Sequence, residues 1–390
     1  MNAQPDTARR QGPLSGVRFI ELAGIGPGPM CATVLADLGA TVLRIDRRVP
    51  SGLGLKRPLR FDLLLRSRLS IQLDLKDPQA IEAVLSLVER ADGLFEGFRP
   101  GVTERLGLGP ETCMKRNPRL VYGRMTGWGQ SGPLSQTAGH DLGYIAITGV
   151  LNAIGRAGAP PSIPLNLIGD FGGGGVYLAL GLLAAILDAR TSGKGQVVDA
   201  AIVDGAASLA TSVFGTYAAG MISTRRGSNM TDSGSHFYEV YECADGRWLS
   251  VAAVEPKFYA ELLRVLALDP VELGAQDDPA CWPRAKQILA AKFRGRTRDE
   301  WAALFAATDA CVAPVLDWSE AADHPQLASR GTIVDIDGVR QPAPAPRFSR
   351  TPSSVPTPPA AVTPANTEAA LSAWLPADEI SRWRSRGLID

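Results

Sequence analysis

The chain has 390 residues, too many for one ordinary hydrophobic core, and its 40 basic residues balance 40 acidic ones. That balance removes the global electrostatic case for a nucleic-acid or membrane-surface partner, while 45% hydrophobic and 21% charged residues fit a folded chain. The five cysteines, Cys31, Cys113, Cys243, Cys281 and Cys311, are odd in number, scattered and without a CxxC pair, so neither a disulfide framework nor a metal site is expected, and a reducing cytoplasm is the simplest compartment.

Residues 1–11 are polar, lack the apolar centre of a signal segment and read as a disordered leader. An apolar run over 17–22 suits a buried strand. The turn GIGPGP at 24–29 follows, then a helix over 30–38 stopped by Gly39, and a second strand over 41–46. Strand, helix and strand at this spacing make a βαβ unit, which implies a parallel sheet. An amphipathic helix over 78–90 and strands over 93–96 and 120–125 repeat the pattern, giving an open α/β layer structure. Residues 149–164 are loop-rich. A helical region runs from Asp170 to Arg190, and its most apolar stretch, 176–187, is too short to span a bilayer. A short strand is expected over 196–198 and a small-residue-rich helical region over 199–221, suited to burial or a subunit interface. A polar linker over 224–234 precedes a change in composition. Runs at 237–243 and 247–253 flank a turn and predict a hairpin. Helices over 255–266, 282–293 and 298–307 complete a smaller α+β unit. The proline-dense stretch 341–363 reads as extended, ahead of a helix over 377–386.

The glycine turn invites comparison with a dinucleotide fingerprint, with Asp46 ending the next strand. Pro29 stands where a third glycine is wanted, and Arg47 and Arg48 follow the acid at once. Cations there suit a phosphate better than a ribose hydroxyl, so NAD binding is not the expected reading.

Of three histidines, His140, His236 and His324, the first lies between glycines, on a loop where backbone can approach a ligand. Histidine is the commonest acid–base residue, yet a lone one is more often structural. Asp170 precedes four consecutive glycines at a helix start. An acid there is commonly an N-cap. Glycines in a helix cost about 1 kcal/mol each relative to alanine, and the run suggests the close approach of something bulky to a helix N-terminus whose N–H groups would stabilise an enolate oxygen. Glu255 follows an apolar run and precedes Pro256, and is either a helix-start residue or a site carboxylate.

Several long motifs then occur in order: GPLSGVRFIELAGIGPGP at 12–29, LGATVLRID at 38–46, EGFRPGVTERLGL at 96–108, TGWGQSGP at 126–133 and RTSGKGQVVD at 190–199. Together they resemble the family III CoA-transferases. Within them, AGHD at 138–141, LNLIGDFGGG at 165–174 and YECADG at 241–246 resemble the α-methylacyl-CoA racemase branch. The resemblance implies a large Rossmann-like CoA-binding domain over 12–200 plus 331–390, a linker helix over 201–227 and a small α+β domain over 228–325. It also implies an interlocked homodimer of ring-like subunits, with the active site between the large domain of one and the small domain of the other. His140 falls on the family's base, Asp170 on its aspartate and Glu255 on a glutamate associated with that histidine. Contacts to CoA are implied at Arg47, Glu96, Gly97, Arg99 and Arg105, with Gly139 and Asn166 as further substrate-binding residues. Tyr144, one turn beyond His140 if that stretch is helical, would line the acyl pocket. Segment 49–66 departs from the racemase pattern close to the CoA cradle.

The α-hydrogen of a thioester is weakly acidic, so a base must remove it while the enolate oxygen is held. Inversion needs a proton to leave one face and return on the other, which two acid–base groups achieve without a cofactor, CoA being part of the substrate. His140 and Asp170 suit the pair, and Glu255 would orient His140. The alternative is CoA transfer between carboxylic acids, with Asp170 as nucleophile. A histidine at position 140 favours proton abstraction. A CoA-binding protein without turnover is the bland reading, disfavoured by three titratable groups in one site.

Overall fold

The computed structural model describes residues 11–49, 52 and 54–390, so the leader expected over 1–11 lies outside it save for Gln11. The chain forms two compact units. Of the described residues, the first comprises those within 11–148, 165–209 and 325–390, and the second comprises 149–164 and 210–324.

The first unit is built on six parallel strands: β1 Arg18–Leu22, β2 Thr41–Asp46, β3 Leu69–Gln72, β4 Gly93–Glu96, β5 Val121–Thr126 and β6 Val197–Ala201. Their spatial order is β3-β2-β1-β4-β5-β6, all neighbours parallel. This is the doubly wound, Rossmann-like arrangement, in which the strand order reverses between β1 and β4 and opens a crevice at the carboxyl ends of the strands. Apolar residues point from both faces, so each face carries its own core. One core joins the Pro78–Val88 helix to Leu371, Trp374, Ile380 and Trp383 near the C-terminus, and the other joins the Pro27–Asp37 and Tyr177–Ser192 helices.

Several local expectations change. The first helix begins at Pro27, three residues inside the glycine turn, because proline's fixed φ and missing N–H suit the first helical position. Asp170 does not cap a helix. It lies inside a π-helical turn, Leu167–Val176, with Asn166 at the cap position, and an α-helix continues over Tyr177–Ser192. The whole run, Leu167–Ser192, has the length and apolar character of a membrane span, longer than the 176–187 core read from sequence. Its inward face, Leu178, Leu182, Ala185 and Ile186, is buried on the sheet. Residues 199–201 belong to β6 rather than to a helix, and two helices follow, Ile202–Leu209 and Thr211–Ala218. A helix not expected from sequence, Pro364–Ser372, closes the C-terminal core.

The glycine run serves packing. A Cβ on Gly173 would lie 2.6 Å from the Ala206 nitrogen, one on Gly205 1.8 Å from the Gly173 oxygen, and one on Gly175 2.8 Å from the Pro27 oxygen. The bulky thing approaching these glycines is the backbone of two other helices.

The second unit holds a three-stranded antiparallel sheet, β7 Tyr238–Glu242, β8 Trp248–Ala252 and β9 Val312–Pro314. The Pro256–Leu266, Trp282–Phe293 and Arg298–Phe305 helices pack on it around Phe237, Leu249, Leu289, Phe293 and Trp301. Residues 149–164, read from sequence as part of the large domain, group here instead. Arg156 pairs with buried Glu239, and Arg226 donates to the Asn152 carbonyl at 2.9 Å and to that of Ala159. The segment expected as one linker helix over 201–227 is divided between the units after Leu209.

Candidate active site

A cavity of about 370 Å³ lies at the carboxyl ends of β1, β4 and β5, against Leu22, Glu96 and Thr126, the last residues of those strands. It thus occupies the crevice where the strand order reverses. Both His140 and Asp170 line it, together with Gly97, Arg99, Gly139 and Tyr144.

His140 ends a glycine-rich loop and sits, extended (φ −137°, ψ 169°), at the N-cap of the Asp141–Ile147 helix. Its carbonyl accepts from the amides of Gly143 at 2.9 Å and Tyr144 at 3.3 Å, so Tyr144 does lie one turn on. The Tyr144 ring meets Trp128 edge to face, centroids 4.7 Å apart. Glycines make room for it: a Cβ on Gly127 would fall 2.0 Å from its Cζ, and one on Gly139 2.6 Å from its Cε1. Burial, then the negative charge of Asp170, pushes the phenol above its ordinary range.

Asp170 is half-buried, facing Gly26, where φ is +67° and a Cβ would lie 3.2 Å from Oδ2. Its amide donates to Asp141 Oδ1 at 2.7 Å. The Asn166 side chain hydrogen-bonds its carboxylate. Burial raises the Asp170 carboxyl above the usual carboxylate range, and the like charge of Asp141 adds to this, while Asn166 and the neighbouring His140 pull the other way. Of the helix N–H groups near Asp170, expected from sequence to hold an enolate, that of Asp170 is therefore already committed, and that of Phe171 is spent on the Asn166 carbonyl at 3.1 Å.

Glu96, expected as a CoA contact, is 2% exposed. It accepts from the Phe98 amide at 2.6 Å and from Arg124 at 3.3 Å, and burial lifts it to about 7. It anchors the cavity wall. Arg47 stacks over the Phe98 ring, 5.7 Å from its centroid, which brings a cation to the side of a lining residue, whereas Arg48 is spent on the Gly387 and Leu388 carbonyls. Arg105 is exposed on the Val102–Leu106 helix and does not line the cavity. Glu255 belongs to the second unit, exposed at the N-cap position of the Pro256–Leu266 helix without a side-chain capping bond. His236 is fully buried there, bonded to the Tyr259 hydroxyl at 2.7 Å and held down to about 4 by desolvation, as befits a core residue.

The sequence reading gave Asp141 no role, and quoted Gly26 and Trp128 within motifs without placing either at the site. The acid directly after the catalytic-type histidine was the available signal for Asp141, since a helix beginning at His140 turns that carboxylate away from its neighbour.

Residues 14–366 match the family described as CoA-transferase family III. The chain is 45% identical to the alpha-methylacyl-CoA racemase of Mus musculus over 341 residues, 87% of each chain. It is 43% identical to the protein of that name from Homo sapiens over 343 residues, again 87% of each. A crystal structure of a CAIB/BAIF family protein from Brucella suis, 23% identical, superposes with a TM-score of 0.78, covering 93% of this chain and 99% of that one, and shares the fold.

Proposed function

The chain belongs to CoA-transferase family III, and from that premise we propose that it interconverts the (R) and (S) forms of 2-methylacyl-CoA thioesters through an enolate. The observation that carries the reading is that an imidazole, His140, and a carboxyl raised toward protonation, Asp170, open onto one cavity. One removes the α-proton. The C–H electron pair moves into the enolate, and the other group returns a proton to the opposite face, so the reaction balances with no oxidant, metal or further cofactor, CoA entering as part of the substrate. Identity to two alpha-methylacyl-CoA racemases over most of the chain supports the same reading. With the Asp170 amide committed, the enolate oxygen falls to other donors. The amides of Asp141 and Leu142 open the helix that His140 caps and have no partner within it. Arg47 and Arg99 supply cations on the cavity's β4 side for the phosphates of CoA.

The enzyme acts as a homodimer in the cytoplasm in this reading. Support comes from apolar side chains left exposed on the Tyr177–Ser192 helix, Leu180 at 60% and Leu187 at 65%, more than a lone surface helix needs. Glu255 of the partner subunit would then charge-stabilise His140.

The test is an NMR assay of a single isomer of a 2-methylacyl-CoA ester in heavy water, with no other acid present. Loss of the α-proton signal with formation of the other isomer is expected. A second reading, CoA transfer with Asp170 as nucleophile, is favoured by the absence of a side chain at Gly26 facing the Asp170 carboxylate. It would show as no exchange and passage of CoA to an added free acid.

A further inference from the structure

Five carboxylates of the described residues are buried: Glu21, Asp37, Glu96, Asp141 and Glu239. Four are met by cations: Glu21 by Arg44 and Arg68, Asp37 by Arg66, Glu96 by Arg124, and Glu239 by Arg156 and Lys286. Asp141 is the exception. It is 8% exposed, Oδ1 accepts the Asp170 amide at 2.7 Å, and Oδ2 is buried without a hydrogen-bond partner among the described residues. A buried charge left uncompensated is costly, and a fold that neutralises four such groups has a reason for leaving the fifth. The approach is also built for it. A Cβ on Gly169 would lie 2.3 Å from Asp141 Oδ1 and 3.1 Å from Ile145, so only glycine lets this carboxylate reach the Asp170 main chain.

We propose that Asp141 is a positioning residue for Asp170: anchored on the Asp170 amide, its uncompensated carboxylate is the fixed negative charge that keeps Asp170 a carrier of protons rather than a permanent anion. The inference rests on the racemase reading above. A two-base mechanism needs one carrier loaded and one empty in each direction. An aspartate at its ordinary acidity beside a histidine would almost always be the empty one. The titratable groups facing Asp170 are Asp141, His140 and Tyr144, all from the helix that His140 caps. The Pro27–Asp37 helix contributes the uncharged Gly26 and Pro27 at its start. Removing the Asp141 charge therefore makes Asp170 easier to deprotonate.

The test compares Asp141→Asn, which keeps an oxygen to accept the Asp170 amide, with Asp141→Ala, which does not. For Asn, the acid limb of the kcat/KM profile is expected to move to lower pH and the optimum to fall, with the alkaline limb in place. For Ala, a further loss of about 10²-fold is expected from misplacement of Asp170. An Asn variant with the wild-type profile would overturn the proposal and leave Asp141 a merely structural acceptor. A readout independent of activity is the titration of Asp170 in the wild-type protein and in Asp141→Asn, followed by carboxyl 13C NMR and assigned by the resonance lost in Asp170→Asn. Burial raises Asp170 in both proteins, so a lower titration in Asp141→Asn than in the wild type supports the proposal, and the same titration in both overturns it. Failure of isomer interconversion in the wild type, with Asp170 titrating lower in Asp141→Asn, would sink the racemase reading and leave the Asp141–Asp170 coupling standing.

Discussion

Under the first βα unit, Glu21 is flanked by Arg44 and Arg68, the latter at 3.0 Å, and Asp37 lies against Arg66. At the carboxyl ends of the strands, Asp141 and Asp170 have each other and, among the described residues, no guanidinium. Both pairs of acids belong to one unit, so fold type does not explain the difference. Where a carboxylate holds strands and helices together, a cation cancels its charge, and removing either partner leaves a buried charge exposed to a low dielectric. Where a carboxylate must exchange a proton, cancellation would fix it as an anion. The resulting repulsion is tolerated because the turn bearing Asp170 is held by other means, the backbone-to-backbone packing of Gly173 against Gly205 and Gly175 against Pro27.

That comparison can be broken most forcefully at the site. Asp170→Asn and His140→Ala are each expected to lower kcat by about 10²- to 10⁴-fold, the usual weight of a general acid or base, while melting temperature stays near the wild-type value. A large fall in melting temperature for Asp170→Asn would show that the site acid is structural after all. The converse experiment is Glu21→Gln, which leaves two arginines facing a neutral partner. It is expected to destabilise the fold by about 3–5 kcal/mol in urea unfolding, with kcat per folded molecule retained.

A smaller effect sharpens the claim about the turn. Gly173→Ala drives a methyl to 2.6 Å from the Ala206 nitrogen. A loss of about 1–3 kcal/mol in stability is expected from overpacking, with activity falling alongside as Asp170 shifts. The smallest effect concerns the histidine that is handled as a structural group. Desolvation lowers His236 from 6.5 to about 4, so the folded state prefers it neutral. Its contribution is complete above pH 6.5 and declines as pH falls toward 4. In His236→Gln, the fall of melting temperature across that window is expected to be shallower than in the wild type.

Much of this was legible in the chain. Apolar runs at 17–22, 41–46, 93–96 and 120–125 became β1, β2, β4 and β5, because a strand buried on both faces needs uninterrupted hydrophobicity. His140, Asp170 and Tyr144 were identified and do share a cavity. The glycine run was noticed and misread, since the backbones it admits come from residues 27 and 205–206, remote in sequence. The helix start was read at Asp170, with an N-cap as the alternative role, because a π-helical turn has the same local composition as a helix start. Asp141 passed unnoticed for a different reason. What distinguishes it is the absence of a cation, and an absence becomes visible when the other buried acids can be seen with theirs.

The most direct measurement is α-proton exchange from each isomer separately, in heavy water, for Asp170→Asn and His140→Ala. If the two groups serve opposite faces of the α-carbon, each variant is expected to lose interconversion yet retain exchange from one isomer, and the surviving isomer is expected to differ between the two variants. Interconversion persisting in either variant, or exchange surviving equally from both isomers, would contradict a two-carrier site built from His140 and Asp170.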